Sequence, residues 1–144
     1  MIALEALSDI AAAAEAEDGA APLDEATWRA LRHHPETVTS WVQDDGFALL
    51  IDDQLSLVVR PDARGRGVAA ALLTRIEADA SARGLIEIVL ETGDLHDAAQ
   101  ALYTRHGYRE IPQFGQYVGE AHSVCFAKPL TAEQQAFPPA QNVR

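Results

Sequence analysis

Apolar residues recur at helical spacing over residues 4–16, where Leu4, Leu7, Ile10, Ala11 and Ala14 fall on one stripe. Asp18-Gly19 and Pro22 interrupt it. Asp24 then stands as an N-cap for a second helix running to about His33, with Trp28 and Leu31 facing inward and Pro35 ending it. The pattern next becomes that of short strands. Val38–Val42 is β-branched and aromatic, Asp45-Gly46 is a hairpin signal, Phe47–Ile51 follows, Asp52-Asp53 marks a second tight turn, and Leu55–Val59 completes a meander. The nearly unbroken run of Leu55, Leu57, Val58 and Val59 predicts a strand buried on both faces. Beyond a loop at Pro61–Arg66, a long helix is expected over Gly67–Arg83, with Ala69, Leu72, Leu73, Ile76 and Ala80 as its inner stripe and Gly84 as its stop. A strand at Leu85–Leu90, a helix at Asp97–His106 closed by Gly107, and strands at Tyr108–Ile111 and Ser123–Phe126 follow. Pro112–His122 reads as a loop, and residues 131–144, with Pro138-Pro139, as a C-terminal tail. This order predicts an α/β (α+β) sheet with helices on its faces.

Composition narrows the function. The 144 residues suffice for one core without metal or disulfide staples. Acidic residues outnumber basic ones 22 to 11, for a formal charge of −11. That balance argues against sequence-independent nucleic-acid binding and against an anionic membrane surface, both of which need excess Lys and Arg. A single cysteine, Cys125, excludes an internal disulfide and a multi-cysteine zinc site. His33-His34, His106 and His122 are not spaced for a shared metal, so no metal is expected. No apolar run approaches the roughly 20 residues of a membrane span, and no signal-peptide pattern opens the chain. A reducing cytoplasm is the expected location.

The basic residues are unevenly placed. Lys128 is the only lysine, and Arg60, Arg64 and Arg66 lie within seven residues. They belong to a strand, a glycine-bearing turn and a helix start: Leu57-Val58-Val59-Arg60-Pro61, then Arg64-Gly65-Arg66-Gly67-Val68-Ala69-Ala70. The first amides of a helix lack intrahelical acceptors and the helix dipole adds positive potential there, so this is an anion cradle. Gly65 and Gly67 let the backbone approach a ligand, and arginine forks suit phosphate oxygens. The GK[ST] ending of a triphosphate loop is missing, and Ala70 stands where a dinucleotide loop would have its third glycine.

Arg64 to Ala69 resembles the Arg/Gln-x-x-Gly-x-Gly/Ala signature of the GNAT acyltransferase superfamily, with Leu57–Pro61 similar to its fourth strand. Ala98-Ala99-Gln100-Ala101-Leu102-Tyr103-Thr104-Arg105-His106-Gly107-Tyr108 is similar to its A-x-x-L-Y-x-x-x-G-F/Y segment. The resemblance covers roughly residues 37–130. It implies a mixed central sheet of about six strands with helices on both faces, in one domain over residues 1–130. Asp18 to Glu25 resembles the opening of mycothiol synthase domains, a GNAT subgroup that acetylates an aminothiol glycoside.

The resemblance also implies a reaction. Acetyl-CoA would set its pyrophosphate on the amides of Gly65 to Ala70 and its pantetheine arm along the Leu57–Val59 edge. A strand bulge would aim the N–H of Val58 or Val59 at the thioester oxygen as an oxyanion donor. Tyr103 matches the general acid that protonates the leaving thiolate, and His96 stands where an Asn often contacts CoA. The family's strand glutamate is missing near Ser56, which leaves Glu91 as the best candidate base, acting directly or through a water, or else as a residue that only hydrogen-bonds a loop. Glu25 would line the acceptor pocket, or simply be a solvated first-turn glutamate. The loop with Phe114, Tyr117 and Gly119 would cap the acceptor, with Tyr117 as a contact, or serve a homodimer. Acidic residues at Asp44, Asp45, Asp52, Asp53, Glu91 and Asp94 would steer a cationic amine, or simply make a solvated acidic surface. The expected function is acetyl transfer to a primary amine of a small molecule. The rival is a non-catalytic acyl-CoA-binding regulatory module.

Overall fold

The structure, a computed structural model, describes residues 3–130, so the tail expected over 131–144 lies outside the described residues. Among the described residues, six strands and four α-helices make an α/β fold. The chain divides into two compact units, Met1–Ile76 and Glu77–Arg144.

The first unit holds α1 (Leu4–Asp18), α2 (Glu25–His33), β1 (Val38–Val42), β2 (Gly46–Ile51), β3 (Gln54–Val59) and the first turns of α3 (Val68–Ala82). Asp24 caps α2 as the sequence predicts, accepting the Thr27 N–H at 2.8 Å. The three strands form an antiparallel meander, with Val42 opposite Phe47 and Ile51 opposite Gln54. The Asp52-Asp53 turn is tight enough to put Asp52 at φ 55°, a region that Asp tolerates better than most residues. Leu7, Ile10, Ala14, Leu23 and Leu31 of the helical segment pack with Phe47, Leu49 and Val58. Burying each large side chain contributes on the order of 1.5–3 kcal/mol. The alternate residues of β2 face α3: a Cβ added at Gly46 would meet Leu72 Cδ1 at 3.3 Å. Trp41, across from Ala48, lies under the Arg75 guanidinium at 4.3 Å. Helices therefore cover both faces of this meander.

The strand expected to be buried on both faces was β3, but β2 takes that place. Gly46 to Leu50 are all buried, whereas Ser56 and Leu57 of β3 are half-buried. β2 is the middle strand of the meander, paired on both sides and covered by helices on both faces.

The second unit holds β4 (Glu87–Gly93), α4 (Asp97–Arg105), β5 (Arg109–Ile111) and β6 (Ser123–Pro129). β6 pairs antiparallel with both β4 and β5. β4 starts two residues later than the apolar pattern predicts, and for a local reason. Leu85 donates its N–H to Ala80 O at 3.0 Å, closing the end of α3 around Gly84 at φ 87°. Ile86, 78% exposed, carries no core contact that would pull the strand forward. The unit's buried side chains include Ala80, Ile88, Leu90, Tyr103, Tyr108, Cys125, Phe126 and Leu130.

Candidate active site

The glycine-bearing turn forms as the residues predict. Pro61–Ala63 make a 3-10 turn, the chain extends at Arg64, and Gly65 and Gly67 take φ of 80° and 84°. Positive φ at both positions turns the backbone into the start of α3. The α3 ladder opens with Ala71 N–H to Gly67 O at 3.0 Å, so the amides of Val68, Ala69 and Ala70 precede the first intrahelical bond. A Cβ at Gly65 or Gly67 would meet nothing within 4 Å, and both residues are exposed. The turn thus sets exposed glycines beside three amides without intrahelical acceptors, an arrangement that suits an anion.

Its two arginines differ. Arg66 is exposed. Arg64 forks both carboxylate oxygens of Asp18 at 2.9 Å and lies 3.4 Å by Nε from Val59 O. The bonds to Asp18 hold its guanidinium above the ordinary arginine range, against the opposing effect of burial. Arg64 is therefore a brace between the end of α1 and the turn. On the strand side, β2 and β3 pair without slip from Gly46–Val59 to Ile51–Gln54. Arg60 N–H continues the same pairing to Asp45 O at 2.7 Å. Leu57, Val58 and Val59 lead directly into the turn.

Also in the first unit, Glu25 is exposed at the start of α2 and pairs with Arg32 at 3.1 Å. Arg32 lines an open cleft of about 310 Å³ with Leu4, Ser8 and Trp28.

In the second unit, α4 ends at Gly107, whose φ of 92° reverses the chain. Tyr108 N–H then bonds Tyr103 O at 3.0 Å, and the two rings meet edge-on at 5.6 Å. Tyr103 is 6% exposed and also faces Phe126. Burial, and then the nearby Glu91 charge, raise its phenol well above the ordinary tyrosine range. Glu91 lies on β4 opposite Cys125 and accepts a 2.7 Å bond from Ser123 Oγ. Burial and the Glu91 charge also push the Cys125 thiol up, while a backbone bond from Phe114 acts the other way. Tyr103 therefore lies within electrostatic range of Glu91. His96 caps α4 without a side-chain bond; its N–H binds Gly93 O at 3.1 Å. Tyr117 stacks edge-on against Phe114 at 5.5 Å within the loop before β6.

Several contacts escaped the sequence reading. Asp18 is 46 positions from Arg64. Ser123 meets Glu91 only through strand register, and His122 Nδ1 meets Asp94 Oδ2 at 3.0 Å only where that ladder ends. Glu77, 7% exposed on α3, accepts from Tyr108 Oη at 2.8 Å and Lys128 Nζ at 2.9 Å. Nothing local in the chain announces these pairs.

Residues 4–108 match the acetyltransferase (GNAT) family. The chain belongs to that family. A mycothiol acetyltransferase from Nocardioides sp. is 58% identical over 105 residues, which cover 73% of this chain and 35% of that protein. An IAA acetyltransferase from Azospirillum brasilense is 39% identical over 74 residues, covering 51% of this chain and 48% of the relative. The chain thus spans about a third to a half of the length of these GNAT relatives. Among solved structures, the ribosomal-protein-S18-alanine N-acetyltransferase of Escherichia coli superposes with a TM-score of 0.68 at 24% identity, over 89% of this chain and 88% of that one. The PaiA N-acetyltransferase of Thermoplasma acidophilum, solved in complex with coenzyme A, gives 0.63 at 16% identity, over 88% and 92%. These two show a shared fold. Among the described residues, no group of three or more His, Cys, Asp or Glu side chains is placed to hold a metal ion, and no helix is long and apolar enough to cross a membrane.

Proposed function

We propose that this chain is an acyl-CoA-dependent N-acyltransferase that moves an acetyl group from acetyl-CoA to the primary amine of a small molecule. The observation that carries this reading is the turn at Gly65–Ala70, where two left-handed glycines and the start of α3 present bare amides. Those amides would bind the diphosphate. Leu57, Val58 and Val59 would guide the pantetheine arm, Arg66 would add a charge-assisted contact, and His96 would replace the family's Asn against CoA. Glu25 and Tyr117 would contact the acceptor. The aminothiol glycoside class is favoured by the mycothiol acetyltransferase relative at 58% identity.

The chemistry balances on two groups of the second unit. An alkyl ammonium has a pKa near 10, so the attacking amine must give up a proton. Glu91 takes it, directly or through a water. The amine nitrogen bonds the thioester carbon, the adduct's cationic nitrogen gives its surplus proton to solvent, the adduct collapses with cleavage of the C–S bond, and Tyr103 Oη supplies the leaving thiolate's proton. The two steps assist each other. Burial chiefly, and the Glu91 charge beside it, hold the Tyr103 proton on, so neutralising Glu91 removes the lesser of the two effects and makes Tyr103 a somewhat better acid when the thiolate leaves. Tyr103 then recovers its proton from Glu91 or solvent.

Two measurements test the reading. Calorimetry with acetyl-CoA should give a saturable heat that G67A weakens. Mass-spectrometric detection of acetylated product across polyamines, amino acids, amino sugars and aminothiol glycosides should find a turned-over amine. Absence of acetyl-CoA binding removes the turn assignment, and binding without turnover across the panel favours the non-catalytic module.

A further inference from the structure

We propose that Ser123 is a positioning residue for the reaction: its hydroxyl, delivered from β6, sets the orientation of the Glu91 carboxylate. The inference rests on the reading of Glu91 as the base.

The geometry is specific to the β4–β6 ladder. Glu91 pairs with Cys125, and Gly93 pairs with Ser123. Residues two apart share a face, so Ser123 and Glu91 are diagonal neighbours on one side of the sheet. That diagonal is usually too long for a serine, but a glutamate can lean across it. Gly93, directly opposite Ser123, has no side chain to block the lane. A Cβ there would meet only the His96 ring, at 3.4 Å. The resulting bond runs from Ser123 Oγ to Glu91 Oε2 at 2.7 Å and is partly buried, the length of a charge-assisted O–H···O contact. It engages one carboxylate oxygen and directs the other, Oε1, to the incoming amine proton. Ser123 itself neither gains nor loses a proton in the cycle.

The donor is also held in place. Ser123 N–H bonds Glu120 O at 3.2 Å, and its carbonyl accepts from Gln113 Nε2 at 2.9 Å. The same Gln113 side chain binds Glu120 O at 2.7 Å and accepts the Gly119 N–H at 2.8 Å. Next in the chain, His122 O accepts the Asp94 N–H at 2.8 Å, fixing the last rung beyond Gly93. A serine anchored on this many sides presents its hydroxyl at a constant place. The groups that respond to the Glu91 charge are Tyr103 from α4 and Cys125 from β6, so the orientation of this carboxylate bears on both.

The test compares S123A, S123T, E91Q and the S123A/E91Q pair, using the amine with the highest turnover in the panel above. S123A should lower kcat about tenfold, the scale of one hydrogen bond to a charged group. KM for acetyl-CoA and the melting temperature should hold. S123T keeps a hydroxyl on a residue suited to strands and should recover most of kcat. In the E91Q background, S123A should have little further effect. A fully active S123A beside a defective E91Q overturns the inference alone, as does a loss that S123T fails to recover or that is equally large in E91Q. Full turnover in E91Q, or a wild-type chain silent across the panel, overturns the underlying reading and the inference with it.

Discussion

Arg64 grips Asp18 with two parallel hydrogen bonds of 2.9 Å across 46 positions of sequence, joining the end of α1 to the turn that would bind the diphosphate. A fork of this kind fixes direction as well as distance. It also assigns the more conspicuous arginine of the motif a structural duty. Asp18→Ala and Arg64→Ala are each expected to raise the KM for acetyl-CoA two- to fivefold, the scale of an exposed but bidentate pair. The double variant should match either single one, because each removes the same brace. If Arg64 gripped phosphate instead, R64A would exceed D18A by tenfold or more in steady-state kinetics.

Gly67 separates backbone strain from ligand clash. Its φ is 84°, and an added Cβ meets nothing within 4 Å. Gly67→Ala should therefore cost only about 1–2 kcal/mol of stability, the conformational cost of a left-handed alanine. The loss of acetyl-CoA affinity should be larger, because the methyl group would enter the space above the amides. Chemical denaturation and calorimetry on the same sample read the two effects separately.

Tyr103→Phe keeps the ring contacts with Tyr108 and Phe126 and removes only the proton donor. Turnover should fall at least tenfold with acetyl-CoA affinity intact. Unchanged turnover would remove the acid role.

Both buried phenols bear on alkaline stability. Tyr103 is raised chiefly by burial and then by Glu91, and Tyr108 chiefly by burial and then by Glu77. Below pH 10 both states of the chain hold these protons and the full stability is present. Above the unfolded phenol value near 10, the unfolded chain sheds protons that the folded chain keeps. Stability should then fall with rising pH, by up to about 2.7 kcal/mol per unit for two groups. Denaturant titrations from pH 9 to 11 check this, and Y103F should roughly halve the slope.

Glu77 sits in the second unit's core with two partners. Lys128→Met would leave its carboxylate bound by Tyr108 alone and should cost about 2–3 kcal/mol. Adding Glu77→Gln should restore most of that, because a neutral amide can keep the Tyr108 contact without an unpaired charge.

Local chemistry made much of the fold readable. The Asp24 cap, the Asp52-Asp53 turn and the Gly84 and Gly107 stops each act within five residues, and all occur where the sequence places them. The turn at Gly65–Ala70 was legible because its glycines, arginines and helix start are contiguous. What stayed hidden depends on register and long-range pairing. Asp18 becomes Arg64's partner only once α1 is docked on the meander. Ser123 reaches Glu91 only because β6 pairs with β4 in one particular frame. The start of β4 falls after Leu85 because that residue, apolar enough for a strand, completes a helix cap.

The arginine-for-lysine bias would matter to a protein that holds an activated thioester, as proposed for this chain. Such donors acylate exposed side-chain amines without help, and a lysine-rich surface would compete with the intended acceptor. Here the lone ε-amino group is 23% exposed and clasped by Glu77, while guanidinium groups supply every other basic side chain save histidine. With the proposed donor bound, few side-chain amines of this chain would then be open to stray acylation.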